Sequence, residues 1–526
     1  MKRINSIINV LHKSIFMLFL LIIGYIVILQ NIVANVIVYS GKRGFLLPNI
    51  VLLIISLFVF LLLWIVYAKW GRKHKKSIEY YVDKMFKHIA CAWFIVQVYV
   101  CYNAYFYTGW DVGTMLLPNA DFLLDGNIGS MNIDYFSNYP NNILLLILFA
   151  GIKKIHRLVG ILDVSQGIMG ILVVQCMIST LTGILLYKAV KEWLGTLWGI
   201  LAWFFYLILV GSSGWLMIPY SDSMGLFVPI LCFRFYQLMK HETDRTGRKA
   251  MWHHGRQWMV LGLLAYWGYQ LKPQTLVIVI AICVVEILEW IKTKNIQKFL
   301  VSCGCMTLIF SLSACLFSLM VRRTGLEIRP EEKMGISHYV MMGLNTSFDG
   351  GYDYDDVLFS SGFHTREERR KAQWEVIKER LRDFGILGLG EHLVKKTLFN
   401  YGDGVFAWEM EGEFYKGIYE PKNQWASPYL RNIIEGDGKA NHLFETIKQA
   451  AWLTIIFFST ALICCRKHVD NRLLAVMLSL IGITLFLLLF EGRARYLYTY
   501  IPIYILAGIA GVSRFVHKLS GRHMRQ

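Results

Sequence analysis

An aspartate in the first long polar loop is the strongest candidate for acid–base chemistry. Asp111 follows an apolar run that ends near residue 107, and Trp110 precedes it directly. A carboxylate held beside an aromatic ring at the end of such a run is placed to accept a proton from a hydroxyl group. A simple turn is the alternative, because Asp-x-Gly sequences favour turns and Gly113 follows. The position of Asp111 leaves both interpretations open.

Cationic side chains in two later loops suit a phosphate group. Lys272 lies in the short turn 270–274, where it could hold an anion or extend toward the membrane interface. Arg493 and Arg495 lie together in the stretch 491–498. Arginine is the preferred partner of phosphate oxygens because its guanidinium donates two parallel hydrogen bonds. We therefore expect the two arginines to contact an anionic lipid head group, while both roles stay open for Lys272.

Three further residues are expected to support such a site. Asp222 lies in the turn 219–223, where capping of the next helix is the alternative role. Tyr139 and Tyr496 stand beside the predicted charges, in the polar stretches that precede apolar runs. The residues alone leave the roles of these three side chains open.

A long polar segment, 321–448, carries candidate contacts for a second substrate. Trp408, Glu409 and Glu411 combine an aromatic face with carboxylates. This combination suits carbohydrate contact, and it equally suits a cap that packs on a membrane domain. The residues alone leave both interpretations open.

The composition indicates that membrane helices carry these loops and determine their positions. Of 526 residues, 56% are hydrophobic and only 17% are charged, whereas a soluble protein of this size needs more charged surface. A membrane helix needs roughly 20 apolar residues, and the runs 15–39, 50–67, 300–320 and 473–490 meet that requirement. The sequence therefore predicts an all-α polytopic membrane protein with about twelve or thirteen transmembrane helices.

The distribution of positive charge predicts the orientation of the chain. The formal net charge is +18, but the basic residues cluster between apolar runs, which is typical of cytoplasmic loops and not of nucleic-acid binding. The predicted cytoplasmic stretches are 69–87, 240–256, 292–298, 466–472 and 514–525. The loop 108–140, the two short turns, the stretch 491–498 and the segment 321–448 then lie on the extracytoplasmic face.

This topology leaves one inconsistency in the first half of the chain. Three apolar segments, 141–152, 166–187 and 196–212, lie between two loops that are both predicted to be external. An even number of spans is required there. The first segment is short and basic residues follow it, so we expect it to be an interfacial helix or a half-span.

The same boundaries divide the chain into four parts. We predict an N-terminal hairpin with a basic loop (1–87), a transmembrane core (88–320), an extracytoplasmic segment (321–448), and C-terminal helices with a basic tail (449–526). The N-terminal hairpin looks like an addition to the core.

The order of the polar loops resembles the membrane-embedded GT-C glycosyltransferases, a superfamily that includes protein O-mannosyltransferases and the lipid A aminoarabinose transferases. The resemblance runs from about residue 88 to residue 514. It rests on five short motifs in chain order: Trp110-Asp111, Asn138-Tyr139-Pro140, Pro219-Tyr220-Ser221-Asp222-Ser223, Leu271-Lys272-Pro273 and Arg495-Tyr496-Leu497. Each motif is weak alone, and their order and common sidedness carry the resemblance.

This resemblance implies a polyprenyl-phosphate-linked sugar as donor and transfer on the extracytoplasmic face of a bacterial plasma membrane. By analogy Asp111 is the base, and Lys272, Arg493 and Arg495 hold the departing lipid phosphate. The resemblance likewise implies supporting roles for Asp222, Tyr139 and Tyr496 and acceptor contacts for Trp408, Glu409 and Glu411. Asp111 and Asp222 are the candidate ligands for a divalent cation, Mg²⁺ or Mn²⁺, because some relatives use one. Helices near the site would form a groove for the polyprenyl tail, and the segment 321–448 would shape a pocket for a glycan, lipid or protein acceptor.

Two other activities fit part of this pattern. A polymerase or ligase of undecaprenyl-diphosphate-linked glycans would also use external arginines and a large loop. A flippase would place ionisable residues inside its spans and show internal repeats. The charges here lie mostly at span ends and the sequence has no repeat, which favours the transferase.

Overall fold

The computed structural model describes residues 2–71, 73–106, 108–160, 167–241, 247–408, 422–436, 438–465 and 469–519. Every regular element within these ranges is helical. The helices of the first half are α1 (Lys2–Asn31), α2 (Asn49–Val66), α3 (Lys75–Ala104), α4 (Leu117–Leu124), α5 (Ile133–Asn138), α6 (Ile143–Leu158), α7 (Gly167–Leu194), α8 (Thr196–Tyr206), α9 (Ser221–Met224) and α10 (Phe227–His241). Those of the second half are α11 (Gly247–Leu271), α12 (Leu276–Thr293), α13 (Ile296–Arg323), α14 (Ile336–Gly343), α15 (Tyr354–Ser361), α16 (Arg366–Tyr401), α17 (Ala426–Ile434), α18 (Asn441–Thr460), α19 (Asn471–Leu489) and α20 (Ile501–Leu519).

The described helices confirm an all-α integral membrane protein. Among the described residues, nine helices are long and apolar enough to cross a membrane: α1, α2, α3, α7, α12, α13, α18, α19 and α20, some with short extensions. The helix α20 is buried almost throughout, whereas α2 and α13 expose most of their side chains. Exposed apolar side chains on a membrane helix contact lipid, so α20 lies at the centre of the bundle.

The count of nine is lower than the twelve or thirteen spans predicted from the sequence, because three of the described helices are too short or too polar to count as candidate spans. The helix α8 with its continuation to Gly211 is short, α10 has 15 residues, and the first half of α11 carries several basic residues. These helices nevertheless connect the two ends of the bundle. The first turn of α10 packs near Gly268 at the end of α11, and Lys240 in its last turn pairs with Glu286 at 2.5 Å.

The helix α6 explains why three apolar segments lie between two loops that are both predicted to be external. It is not among the candidate spans. It packs on α4 through the ion pairs Lys153–Asp121 and Arg157–Asp125, each with a closest N–O distance of 2.6 Å. Its last turns contact the first turns of α7. Since α7 runs antiparallel to α3, both ends of α6 lie at the same end of the bundle, as expected of an interfacial helix.

The N-terminal hairpin is built into the bundle and is not peripheral to it. Phe19 and Ile26 of α1 are fully buried in the main apolar core. The loop after α1 is fixed by Arg43, which pairs with Glu445 at 2.9 Å and donates a hydrogen bond to the carbonyl oxygen of Trp408 at 2.6 Å. The hairpin and the long polar segment therefore hold each other in place.

Basic residues gather at one end of the bundle. Lys191 pairs with Asp83 at 2.6 Å, and the guanidinium carbons of Arg472 and Arg514 lie 5.5 and 5.2 Å from the ring centre of Trp193. Residues from three of the predicted cytoplasmic stretches thus meet around the last turn of α7. We call this the basic end.

The helices α14 to α17 lie at the opposite end. The long helix α16 bends at Gly385, whose φ of 54° falls in the left-handed region that glycine tolerates. Its last turns enter the bundle, where the Tyr401 hydroxyl lies 2.7 Å from the hydroxyls of Thr484 and Tyr504. The long segment is therefore anchored in the membrane domain by its own helix.

Candidate functional site

Four loops that are far apart in the sequence meet at the end of the bundle opposite the basic end. The Tyr220 hydroxyl donates a hydrogen bond to Asp111 Oδ2 at 2.9 Å, and the rings of Tyr220 and Trp110 lie 4.9 Å apart. The guanidinium carbon of Arg495 lies 4.1 Å from the ring centre of Trp110 and 5.7 Å from that of Tyr220. A carboxylate and a guanidinium from opposite halves of the chain therefore flank the same two rings. The four-loop site comprises Asp111, Tyr220, Asp222, Lys272, Glu491, Arg495 and Tyr496.

The tight path of the first loop places Asp111. The backbone is extended at Trp110 and enters a π-helical turn, Asp111–Leu116, at the aspartate itself. A Cβ atom at Gly113 would lie 1.3 Å from the carbonyl oxygen of Thr108. Only glycine fits at this position, so the sequence Asp-Val-Gly fixes the turn that presents the carboxylate.

A network of neutral donors surrounds the Asp111 carboxylate. Asn142 Nδ2 donates hydrogen bonds to the hydroxyls of Tyr135 at 2.7 Å and Tyr220 at 3.3 Å. Burial, followed by the charge of Asp111, raises the pKa of Tyr220 well above its ordinary value. The Tyr220 hydroxyl consequently stays protonated and remains a donor to the carboxylate at neutral pH. Asp111 itself is only partly buried, so one side of it is open.

The turn 270–274 contributes a cation that already has a partner. Lys272 Nζ donates to Asp222 Oδ1, and both side chains are buried. The ammonium lies 4.5 Å from the ring centre of Tyr496. Burial lowers the pKa of Lys272, and the Asp222 carboxylate opposes that shift. The pair joins the second and third loops of the site.

The fourth loop is tied to the same turn. The Tyr496 hydroxyl donates to Glu491 Oε1 at 2.6 Å, while its carbonyl oxygen accepts from Gln274 Nε2 at 2.5 Å. Gln274 Nε2 also donates to Thr499 Oγ1 at 3.0 Å. These bonds hold Arg495, between the two tied positions, against the rings of the first and second loops.

Five of the ten residues predicted from sequence lie in this cluster. Asp111, Asp222, Lys272, Arg495 and Tyr496 belong to it. Tyr139 lies beside it, since its ring centre is 5.4 Å from that of Tyr135.

Arg493 and the predicted acceptor residues lie elsewhere. The guanidinium of Arg493 packs over the ring of Phe399 at 5.0 Å, toward α16. The structure does not place Trp408 on an open surface: its ring packs on Trp215 at 5.6 Å, and its Nε1 donates to the carbonyl oxygen of Ile434 at 2.8 Å. Glu409 and Glu411 lie outside the described residues.

Sequence reasoning assigned no role to two central members of the site. Tyr220 is the direct partner of Asp111, and Glu491 is the acceptor for Tyr496. Tyr220 belongs to the motif 219–223, and Glu491 begins the polar stretch 491–498. The pattern alone could not show which neighbour turns toward the carboxylate.

The donor set does not suit a divalent cation. Mg²⁺ and Mn²⁺ prefer several oxygen ligands in near-octahedral geometry. Among the described residues, no three His, Cys, Asp or Glu side chains lie close enough to hold a metal ion. Asp222 already binds the Lys272 ammonium and Asp111 accepts from Tyr220. No step is therefore assigned to a metal.

An apolar groove between α12 and α19 leads to the fourth loop. Its volume is about 330 Å³ and its lining is entirely apolar along the two helices. The helices are in close contact at Gly482, where a Cβ atom would lie 2.7 Å from Val277. The groove ends at Phe490, the residue before Glu491. An apolar chain lying in it would reach the four-loop site.

Comparison with known proteins agrees with the fold. A model of a family of conserved hypothetical integral membrane proteins matches residues 4–514. No curated protein and no solved structure matches the chain. Because the match covers nearly the whole sequence, the chain belongs to this family of conserved hypothetical integral membrane proteins.

Proposed function

We propose that this protein is a GT-C-type glycosyltransferase that moves a sugar from a polyprenyl-phosphate donor to an acceptor hydroxyl on the extracytoplasmic face of a bacterial plasma membrane. One observation carries the proposal. The carboxylate of Asp111 and the guanidinium of Arg495 flank the Trp110–Tyr220 ring pair, at the end of the bundle opposite the basic end. A base and an anion-binding cation are the two groups that such a transfer requires.

The proposed reaction is a displacement at the anomeric carbon of the donor sugar. Asp111 accepts the proton of the acceptor hydroxyl, whose oxygen forms a bond to the anomeric carbon. The bond between that carbon and the phosphate oxygen breaks, and the electron pair leaves with the polyprenyl phosphate. The Tyr220 hydrogen bond orients the base before and during this proton transfer.

The leaving group needs positive charge more than it needs a proton. A departing phosphate monoester gains negative charge, and a fixed cation stabilises it with little reorganisation. Arg495 is the residue placed for this role. Lys272 already neutralises Asp222, so we assign it a supporting role that fixes the second and third loops.

The groove between α12 and α19 supports a lipid-linked donor. Its apolar lining suits a polyprenyl chain, and its end at Phe490 brings the head group of that chain to Glu491 and Arg495. A soluble nucleotide sugar would have no use for an apolar groove that opens to lipid. The groove and the cation together favour a membrane-bound donor.

Sugar transfer by the purified protein in nanodiscs tests the proposal. Synthetic polyprenyl-phosphate sugars serve as donors and crude cell envelope as acceptor. We expect transfer by the wild type and a loss of about a hundredfold to ten-thousandfold in Asp111→Asn, the usual range for removal of a general base. The matched control is Asp125→Asn in the same loop, whose carboxylate forms an exposed ion pair with Arg157; it should transfer normally.

The donor panel also decides between the proposal and its nearest alternative. Undecaprenyl-diphosphate glycans are included beside the monophosphate donors. Transfer from the diphosphate donors alone would assign the chain to the polymerases or ligases. Absence of transfer from every donor, or full activity of Asp111→Asn, would refute the proposal.

A further inference from the structure

Two cysteine side chains meet between α3 and α7, close to the loop that carries Asp111. Cys101 Sγ lies 3.6 Å from Cys176 Sγ, and both side chains are fully buried. Both cysteines carry free thiols in the structure. Two thiols held in direct contact on neighbouring helices are a candidate site for an oxidative cross-link.

Polar contacts one turn closer to the basic end hold the two helices in register. Gln97 Nε2 donates to Ser179 Oγ at 3.1 Å, and Thr180 Oγ1 donates to Gln97 Oε1 at 3.1 Å. Gln97 lies one turn before Cys101 on α3. Ser179 lies one turn after Cys176 on α7, so the polar contacts and the thiol contact share the same faces of two antiparallel helices. The helices themselves, and not a flexible loop, therefore place the two thiols opposite each other.

The cysteine pair lies near the end of the bundle that carries the four-loop site. Cys101 belongs to the last turn of α3, which ends at Ala104. Its sulfur also lies 3.9 Å from the carbonyl oxygen of Leu216, in the turn that leads to Tyr220. The pattern of positive charge predicts that this end of the bundle is extracytoplasmic. Disulfides form and persist in such compartments, whereas cytoplasmic thiols are kept reduced.

We propose that Cys101 and Cys176 form a disulfide bond that joins α3 to α7. Sulfur atoms in a disulfide lie about 2.0 Å apart, so side-chain rotation with a small shift of the helices closes the gap between two thiols that already touch. The inference depends on the predicted orientation of the chain. It does not depend on the proposed transfer of sugar.

The bond forms by thiol–disulfide exchange with an extracytoplasmic thiol–disulfide oxidoreductase. The thiolate of one cysteine attacks the disulfide of the oxidoreductase, which gives a mixed disulfide and releases one thiolate of the oxidoreductase. The thiolate of the second cysteine then attacks the mixed disulfide, forms the Cys101–Cys176 bond and releases the second thiolate. The two cysteines lose two protons and two electrons, and the oxidoreductase disulfide is reduced to a dithiol. Because the pair is buried in the folded bundle, the exchange takes place while the helices assemble.

The bond closes the segment of chain that carries the proposed base. The two cysteines are 75 residues apart in the sequence, and the segment between them contains Asp111 and the helices α4, α5 and α6. A cross-link between the two ends of this segment restricts the unfolded chain. It also fixes the end of α3, from which the loop that carries Asp111 departs.

Differential alkylation of the full-length protein tests this inference. Cells that express the protein are quenched in trichloroacetic acid, and free thiols are blocked with N-ethylmaleimide in SDS. Thiols that a reductant then releases are labelled with deuterated N-ethylmaleimide, and mass spectrometry reads both labels at each cysteine. We expect the deuterated label at Cys101 and Cys176, and a cross-linked peptide of the two in a digest made without reductant. Cys232, which is equally buried in α10, should carry the unlabelled form of the reagent.

Two variants identify the partner of each thiol. In Cys101→Ala, Cys176 should be blocked as a free thiol, whereas Cys232→Ala should leave Cys101 and Cys176 oxidised. Free thiols at both positions of the wild type would overturn the inference. Oxidation of Cys176 that persists in Cys101→Ala would also overturn it, because another partner would then be responsible. The wild-type measurement requires no substitution and no substrate, so it decides the matter even if a variant fails to fold or the protein transfers no sugar.

Discussion

The buried pair of Lys272 and Asp222 makes a quantitative prediction that does not depend on the reaction. The side chains are 9% and 3% exposed, so neither charge has water to replace its partner. Removing one member of a buried pair typically costs about 3–5 kcal/mol, because the remaining charge is left uncompensated. We expect a loss of this size in the free energy of unfolding of Lys272→Met.

The double variant should recover much of the loss. In Lys272→Met/Asp222→Asn neither member of the pair carries a charge, so the double variant should be more stable than Lys272→Met alone. The interaction energy of the double-mutant cycle should exceed about 2 kcal/mol, well above the value for independent sites. The measurement is SDS titration in mixed micelles, followed by tryptophan fluorescence.

An exposed ion pair in the same protein provides the matched control. The Arg157 and Asp125 side chains are 47% and 56% exposed, and the median worth of such pairs is about 0–1 kcal/mol. The same cycle, with Arg157→Met and Asp125→Asn, should give an interaction energy in that range. If the two cycles gave equal interaction energies, or if the losses at Lys272 and Asp222 simply added, the reasoning from burial would be refuted.

Three further predictions follow from the site and its surroundings. Arg495→Ala should weaken binding of a polyprenyl-phosphate sugar about tenfold or more. Arg493→Ala should change this binding little, because the Arg493 guanidinium packs on α16. Equal losses of affinity in a donor-binding titration would contradict this assignment. Leu485→Trp fills the apolar groove and should raise the KM for long-chain donors more than for short-chain donors. The lipid-facing control Ile54→Trp should change neither KM. An unchanged dependence of KM on chain length would exclude the groove as the binding site of the donor tail. Burial lowers the pKa of Lys396 to about 7. Between this value and the ordinary lysine pKa the unfolded chain binds more protons than the folded protein. The free energy of unfolding therefore rises with pH, by at most about 1.4 kcal/mol per pH unit. SDS titration at pH 7 and pH 9 should show this rise in the wild type and not in Lys396→Met, and equal pH dependence in both proteins would contradict it.

The sequence predicted the membrane class and most of the site because these depend on local properties. Apolar runs of span length and basic loops are visible in the chain itself. Charged residues at span ends identify Asp111 and Arg495 without any knowledge of packing. Asp111 and Arg495 come together because the loops that carry them lie at the same end of the bundle.

Packing decided the features that the sequence could not predict. Trp408 is a plausible sugar-binding residue by type, yet its burial against Trp215 depends on tertiary contacts. Arg493 and Arg495 are equivalent in the sequence, and a two-residue step along an irregular helical turn sends them to different neighbours. The helix α6 has an apolar run, and only its ion pairs with α4 and its contacts with the start of α7 place both of its ends at one end of the bundle.

The distance along the chain between the members of the site has a consequence for biosynthesis. Asp111 emerges early in translation, but Arg495 emerges only with the last described helices, and the Arg43 contacts join one of the first loops to α18. A nascent chain therefore carries Asp111 for a long period without Arg495, and the four-loop site is completed only when the fourth loop has been made. Under the proposed function, a chain that stalls before Arg495 is made would hold the proposed base without the proposed phosphate contact and would not transfer sugar.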